Sequence, residues 1–447
     1  MSLNVSLTSL SNELREKISQ DLTISIEPVK KGFNNKSVPF PQKTGATMEA
    51  YDFDGNDILI LPLAYGIHEI DIPKPNSQDY PKLKSDCNFV GTLREEQKAI
   101  KDEAINNLNM YNACLISAYP GFGKTCTSIY ITSKIKLQTL IIINRLVLMK
   151  QWEEAIKKFC INVTVVCADT KMRVQKSPNK KQKKTEDEEL PPDYIIINAI
   201  NIPKMGKDFF KNVGVVIVDE AHLIMSQVLS KGLFYVFPRY IIGLSATPYR
   251  SDGMDKLLTL YFTDKKIIRT LKRNHTVFKV ETGFTPEVEY DRNGKVIWGH
   301  ILEQQCMNPQ RNGMIINIIQ NHPTRIFLVL SKRIEQAQYL YDRLKEGNEN
   351  VSLLIGSKTT FDKDARILIG TSSKIGVGFD HSRMDALLLA SDLEQYFIQY
   401  LGRVFRTEDV EPIIFDLVDN NSILKRHFST RKGVYIESGG KIVKYNL

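Results

Sequence analysis

From Leu93 onward the chain alternates short, almost unbroken apolar runs with longer stretches in which apolar residues recur at helical spacing. The runs are ACLIS (113–117), TLIIIN (139–144), DYIIIN (193–198), VGVVIVDE (213–220), YIIGLSAT (240–247), RIFLVL (325–330), RILIGT (366–371) and ALLLAS (386–391). Ile, Val and Leu without polar alternation suit strands buried on both faces, and such strands belong to parallel sheets covered by helices. Most of the runs end on a glycine or a polar residue, and the carboxyl ends of such strands are where ligand-binding loops lie. The expectation is an α/β chain.

The rhythm breaks near residues 265–285, KKIIRTLKRNHTVFKVETGF, where basic and turn-forming residues intervene, and a link between two α/β domains is placed there. Shortly after it, EVEYDRNGKVIW holds Asn293-Gly294 between alternating segments, a hairpin signal. Asn308-Pro309 reads as the N-cap and first residue of a helix running through Ile315 and Ile319. Residues 1–90 are rich in Pro, Asn and Ser, with weak periodicity and one strand signal from Asp57 to Leu63, and read as an accessory domain or arm. The expected division is 1–90 accessory, 91–270 first α/β domain, 271–430 second α/β domain and 431–447 a tail. Within the first α/β domain, residues 171–189 form a low-complexity stretch, basic then acidic; it reads as a solvated insert, with a nucleic-acid tether as the alternative.

Composition narrows the class. The 447 residues are 42% hydrophobic and 25% charged, as in soluble globular proteins. A formal net charge of +9 suits a polyanionic partner without requiring one. No apolar run reaches membrane-spanning length, and the start MSLNVSLTSL lacks a secretory pattern, so an intracellular, soluble protein is expected. Cys87, Cys114, Cys126, Cys160, Cys167 and Cys306 never form C-x-x-C, which argues against zinc-ribbon or iron–sulfur ligation and for free thiols in a reducing compartment.

Two segments carry chemistry. AYPGFGKTC, Ala118 to Cys126, lies between a strand-length run and a helical stretch, the context a phosphate loop requires. Backbone N–H groups of Gly121 to Thr125 could cradle phosphates at a helix N-terminus, with Lys124 as a point charge and Thr125 as an oxygen for Mg2+. The alternative is a tight strand-to-helix turn. VVIVDEAH, Val215 to His222, is an apolar strand ending in two carboxylates: in a P-loop ATPase Asp219 holds Mg2+ and Glu220 activates water. Taken alone, the pair could equally be a helix cap.

With these segments the chain resembles a superfamily 2 helicase of the DEAH type. Ala118, Gly121, Gly123, Lys124 and Thr125 match motif I; Asp219, Glu220, Ala221 and His222 motif II; Ser245, Ala246 and Thr247 motif III; GVGFD (376–380) motif V; and QYLGRVFR (399–406) motif VI. LREEQ (93–97), LVLMKQW (146–152) and GLSATPYR (243–250) are most similar to the XPB/UvsW-like branch, which includes the transcript-release DNA helicases of large DNA viruses. The ending FDLVDNNSILKRHFSTRKGVY (415–435) is similar to viral and phage members. Asn144-Arg145 in motif Ia and Tyr400 in motif VI depart from the usual pattern.

The resemblance implies two tandem RecA-like domains and nucleic-acid-stimulated ATP hydrolysis with Mg2+. It implies catalytic roles for Lys124, Glu220, Arg403 and Arg406, the two arginines sharing a helical face at i and i+3 and acting from the second domain. Nucleotide contacts are implied for Gln97, Pro120, Gly121, Phe122, Gly123, Lys124, Thr125, Cys126, Gly378, Asp380 and Gln399, with Thr125 and Asp219 on the metal. His222, Ser245 and Thr247 would couple nucleotide state to nucleic acid. Arg145, Lys150, Lys332, Arg333 and Lys374 are candidates for the nucleic-acid backbone. The expected partner is nucleic acid, DNA ahead of RNA, with transcription or replication machinery, and no membrane. A virus-encoded member would work in the host cytoplasm or virion. An RNA helicase, or a non-catalytic helicase-fold subunit of a transcription complex, is the alternative.

Overall fold

The computed structural model describes residues 1–25, 47–55, 57–83, 87–169, 191–246, 254–358, 360–375, 381, 383–393, 397–406 and 409–446. The chain divides into two compact units, one formed by Met1–Ala118 and Phe122–Arg269, the other by Tyr119–Gly121 and Thr270–Leu447.

In the first unit, five short strands come before the main sheet: β1 (Ser2–Ser6), β2 (Thr23–Ser25), β3 (Thr47–Glu49), β4 (Asp52–Asp54) and β5 (Ile58–Pro62). They form an antiparallel β1-β5-β4 sheet and a β2-β3 pair. The main sheet comprises β6 (Ala113–Ala118), β7 (Thr139–Ile143), β8 (Val165–Ala168), β9 (Tyr194–Asn198), β10 (Val215–Val218), β11 (Tyr240–Ser245) and β12 (Lys266–Arg269). Its order is β12-β6-β11-β10-β7-β9-β8, parallel throughout. Every residue of β6, β7, β9 and β10 is buried, as their unbroken apolar runs require. Each buried Ile, Val or Leu contributes roughly 1.5–3 kcal/mol relative to exposure. β6, β11 and β10 are neighbours, so the segments that follow them emerge side by side at one edge.

Residues expected to form a separate accessory piece share the core of this unit. Met1, Leu3, Leu59, Leu61 and Leu63 belong to the same apolar cluster as Leu140, Val216 and Tyr261. The Ser2 N–H donates to the Val236 carbonyl at 2.9 Å. The expected strand at 57–63 is β5, while its partners are short strands with too few apolar positions to set up a period.

The second unit holds β13 (His275–Glu281), β14 (Phe327–Ser331), β15 (Val351–Leu354), β16 (Ile367–Thr371), β17 (Ala386–Leu389), β18 (Ile413–Val418) and β19 (Gly440–Tyr445). The order is β15-β16-β14-β17-β18-β13-β19, again parallel throughout. Two seven-stranded parallel sheets with flanking helices are the tandem RecA-like architecture. Residues 431–447, expected as a tail, supply the end of a helix and the edge strand β19, which pairs with β13 from His275↔Gly440 to Val280↔Tyr445. The expected link is short: β12 takes 266–269 as an edge of the first sheet and β13 starts at 275.

Of two local expectations, the helix cap at Asn308-Pro309 holds in detail, while the hairpin at Asn293-Gly294 keeps its turn but is reduced, among the described residues, to one isolated bridge without flanking strands. Gly294 sits at φ +71° and its N–H donates to the Asp291 carbonyl at 2.9 Å, with Tyr290 and Val296 bridged across the turn. Asn308 Oδ1 accepts from the Arg311 N–H at 2.8 Å, Pro309 opens the Pro309–Gln320 helix, and Ile315 and Ile319 are buried. The six cysteines are free thiols, and among the described residues no helix is long and apolar enough to cross a membrane.

Gly243, in the middle of β11, is fixed by packing. A Cβ there would lie 2.7 Å from Leu115 Cδ1 and 2.8 Å from Phe262 Cε1. Gly243→Ala is predicted to destabilise the first unit by about 1–3 kcal/mol through overpacking. An unchanged urea midpoint would show that the β6–β11 interface is looser than these distances say.

Candidate functional site

β6 ends at Ala118, and the chain turns through Pro120 to Phe122 into the Lys124–Ile135 helix. Gly121 (φ +86°) and Gly123 (φ +95°) adopt left-handed conformations that β-carbons disfavour. Gly123 has a second reason to be glycine, because a Cβ would run into the amide nitrogen of Gln97. Gly123 is the N-cap, and no side chain caps the helix. Amides at an uncapped helix start, together with the dipole, favour an anion. Lys124, the first helical residue, folds back so that Nζ donates to the Ala118 carbonyl at 2.6 Å. Thr125 follows on the same turn. Cys126 is half-buried, and burial raises its thiol against the opposing charge of Arg94.

The loop is braced from the Glu95–Tyr111 helix. Gln97 Oε1 accepts from the Arg94 N–H at 2.9 Å, closing a capping box, and Gln97 Nε2 donates to the Phe122 carbonyl at 3.0 Å. The Arg94 guanidinium donates to the same carbonyl. Gln97, expected at the adenine, is thus buried and tied to the loop backbone. Arg94 lies within the quoted LREEQ but was not singled out, because its reach to Phe122 depends on tertiary packing.

Asp219 follows β10, and its N–H continues the ladder to the Ile142 carbonyl at 2.9 Å. Its carboxylate accepts from Trp152 Nε1–H at 2.8 Å and from the Glu220 N–H at 3.0 Å. Burial, then the charge of Glu220, pushes its pKa up to about 6, against the Trp152 bond and the charge of Lys124. Trp152 is 2% exposed and lies with Leu148 and Ile156 on the buried stripe of the Val147–Phe159 helix. Sequence reasoning did not single it out. It ends the LVLMKQW segment and lies on an apolar stripe, signals that state resemblance and burial but not the bond.

Glu220 holds φ +48°, ψ +53°, a left-handed conformation that costs a non-glycine residue of order 1–3 kcal/mol. Its Oε2 is 3.5 Å from His222 Nδ1, and that ring nitrogen lies 2.8 Å from Ser245 Oγ. His222 and Ser245 are both buried. Ser245 ends β11, the strand between β6 and β10, so this contact joins the end of one strand to the turn after its neighbour.

The first unit therefore gathers Gln97, Lys124, Asp219, Glu220, His222 and Ser245. The set fits a polyphosphate with a divalent cation: a glycine turn at an uncapped helix start, an ammonium, a hydroxyl at Thr125, and a carboxylate whose charged form a cation would favour. Thr247, Gly378, Asp380 and the 171–189 stretch lie outside the described residues.

In the second unit, Gln399, buried, and Arg403, half-buried, lie on the Phe397–Val404 helix. Arg406 does not: it stands two residues past the helix end, so helical spacing does not set the two arginines on one face. The helix stops where Arg273 Nη1 takes the Phe405 carbonyl at 2.6 Å and His275 packs on the Phe405 ring at 4.7 Å. Burial lowers the Arg406 guanidinium from its ordinary value. The Tyr400 hydroxyl donates to the Ser372 carbonyl at 2.9 Å, tying this helix to the one carrying Lys374.

The nucleic-acid candidates follow strand ends but differ in what they already do. Arg145 is exposed after β7, and Lys150 is exposed with Glu154 at 3.8 Å, a surface pair worth little. Lys332 is exposed after β14, while Arg333 Nη2 is engaged with the Gly299 carbonyl at 2.9 Å. Lys374 is half-buried.

A glycine turn at a helix start, a paired carboxylate end and two RecA-like sheets are features of the superfamily 2 helicase class. Residues 91–250 match the family model described as "Type III restriction enzyme, res subunit". Over 415 residues the chain is 43% identical to "Putative helicase 161L" of Invertebrate iridescent virus 6, covering 88% of this chain and 91% of that protein. The chain belongs to this family of viral superfamily 2 helicases. Its fold is similar to that of a S. cerevisiae Dbp5 variant bound to RNA and ADP BeF3 (TM-score 0.53, 12% identity, 77% of this chain and 89% of that one). It is also similar to the ATP-dependent Type ISP restriction-modification enzyme LlaBIII bound to DNA (TM-score 0.57, 13% identity, 80% and 32%).

If Trp152 orients the Asp219 carboxylate, Trp152→Phe keeps the packing and removes one donor. Were Asp219 to hold Mg2+ in an ATP-hydrolysing site, the Mg2+ concentration for half-maximal turnover should then rise by about 10-fold. An unchanged Mg2+ titration would reduce Trp152 to a packing residue.

Proposed function

We propose that the protein is a nucleic-acid-stimulated ATPase that moves on or remodels DNA, in viral transcription, recombination or repair. The observation that carries this reading is the juxtaposition of the glycine turn and Lys124 with the half-buried Asp219 and the strained Glu220. Bound Mg2+ would supply positive charge to the phosphate oxygens. Thr125 and Asp219 would hold it, and the backbone amides after Gly121 with Lys124 would bind the phosphates. Glu220 would accept the proton of the attacking water. Arg403 and Arg406 would supply positive charge where negative charge builds up on the phosphoryl oxygens during transfer, a contribution on the order of 10³ to 10⁵ in rate. Gln97 braces the loop and would also face the base.

His222 and Ser245 pass the state of that site to the segment after β11. Arg145, Lys150, Lys332 and Lys374 would contact the phosphate backbone without reading sequence. The net charge of +9 supports a polyanionic partner. One solved neighbour is bound to RNA and another to DNA, so the fold serves both polymers, and an RNA substrate is the second reading.

The two readings separate in one assay, ATP turnover with single-stranded DNA, duplex DNA, a branched junction or RNA as activator. Stimulation by RNA alone would overturn the DNA assignment, and no stimulation by any of them would overturn the motor reading. Lys124→Ala is expected to abolish turnover and weaken ATP binding, whereas Glu220→Gln abolishes turnover and still retains ATP. Native turnover in Glu220→Gln would remove this carboxylate from the mechanism.

A further inference from the structure

The C-terminal helix, Ser422–Glu437, turns His427, Arg431 and Tyr435 towards the second sheet at i, i+4 and i+8. Arg431 is 3% exposed. Its Nε and Nη2 each lie 2.8 Å from an oxygen of Asp416, in β18. Its Nη1 lies 2.8 Å from Asp392 Oδ1 and donates to the Leu393 carbonyl, also at 2.8 Å. The other oxygen of Asp392 lies 2.6 Å from His427 Nδ1, and the Tyr435 hydroxyl donates to Asp416 Oδ2 at 2.7 Å. Two buried carboxylates are thus bridged by one guanidinium.

Stability alone is a poor reason for such a cluster, since desolvating ions offsets most of their attraction and an apolar replacement is often no worse. Its geometric effect is specific. Asp392 and Leu393 lie just before the Phe397–Val404 helix, and Phe397, its first residue, packs edge-on against the Tyr435 ring at 4.8 Å. The C-terminal helix therefore meets both Asp392 and Leu393 and the first residue of this helix, Phe397. Further along, Tyr400 is held by the Ser372 carbonyl. Arg403 is one turn beyond Tyr400.

We infer that Arg431 is a positioning residue for the hydrolytic reaction, setting the direction of the helix that carries Arg403 through Asp392, Leu393 and Phe397. The inference rests on the proposed role of Arg403. The fork is essential: one planar guanidinium spans both carboxylates and a carbonyl, and a lysine ammonium cannot reproduce that span.

The test is a double-mutant cycle of Arg431→Lys and Arg403→Ala in the full chain, reading DNA-stimulated kcat, ATP affinity and melting temperature. Arg431→Lys should lower kcat by about 10-fold while ATP affinity changes less than about 2-fold. In the Arg403→Ala background it should cost less than about 2-fold more, because both changes act through one group. If Arg431→Lys does not fold, Tyr435→Phe serves in its place, keeping the ring on Phe397 and removing only the bond to Asp416. An equal loss in both backgrounds would overturn positioning through Arg403, and native kcat in Arg431→Lys would overturn it outright. Full turnover in Arg403→Ala would instead remove the premise, and the inference with it.

Discussion

A carboxylate at the end of a fully buried central strand sets the terms for the first unit. β10 is the fourth of seven strands and is buried at every position, and the half-buried Asp219 carboxylate that follows it depends on fixed partners. Those partners are the Trp152 indole from the helix after β7, the Glu220 amide, and the charge of Lys124 at the start of the helix after β6. A parallel sheet supplies such partners because its crossovers return each chain segment to the same edge. The partners do not fully compensate, as the raised pKa shows. A site left short of positive charge in this way is suited to a cation.

Glu220 adds a second constraint. Its left-handed backbone persists because the amide is held by Asp219 on one side and the next residues turn at once into the Ala221–Ile224 helix. That turn brings His222 within 2.8 Å of Ser245. β11 lies between β6 and β10, so the His222–Ser245 contact joins the end of one strand to the turn after its neighbour. The order of three strands therefore brings the glycine turn, the carboxylate pair and Ser245 to one edge of the sheet.

How much of this was legible in the sequence follows from burial. Strands covered on both faces are written as unbroken Ile, Val and Leu, and 139–144, 193–198 and 366–371 could be read directly. Edge strands are not written that way: β12 carries Lys266 and Arg269, and β19 carries Lys441 and Lys444, charges that blunt an exposed edge and also disguise it as a linker or tail. The chemistry-bearing residues were legible where one local segment held them, as in Gly121 to Thr125. Arg94, Trp152 and Arg431 were not, because each works on an element distant in sequence. The place of Arg406 past the helix end was hidden for the same reason, since Arg273 and His275, which meet Phe405, come from far earlier in the chain.

The buried polar groups of the two units contrast in one physical respect. In the second unit the carboxylates are met by several donors: Asp419 accepts from Thr282, Gln305 and Arg311, and Asp416 from Arg431 and Tyr435. A well-satisfied buried network gains nothing from a further ion and resists rearrangement, so it acts as a frame. In the first unit Asp219 is met by two neutral donors and stays above the usual carboxylate range. Ligand binding there would lower the free energy of a strained, charge-deficient arrangement. The same type of side chain is thus fully met by donors in one unit and left above its usual pKa range in the other.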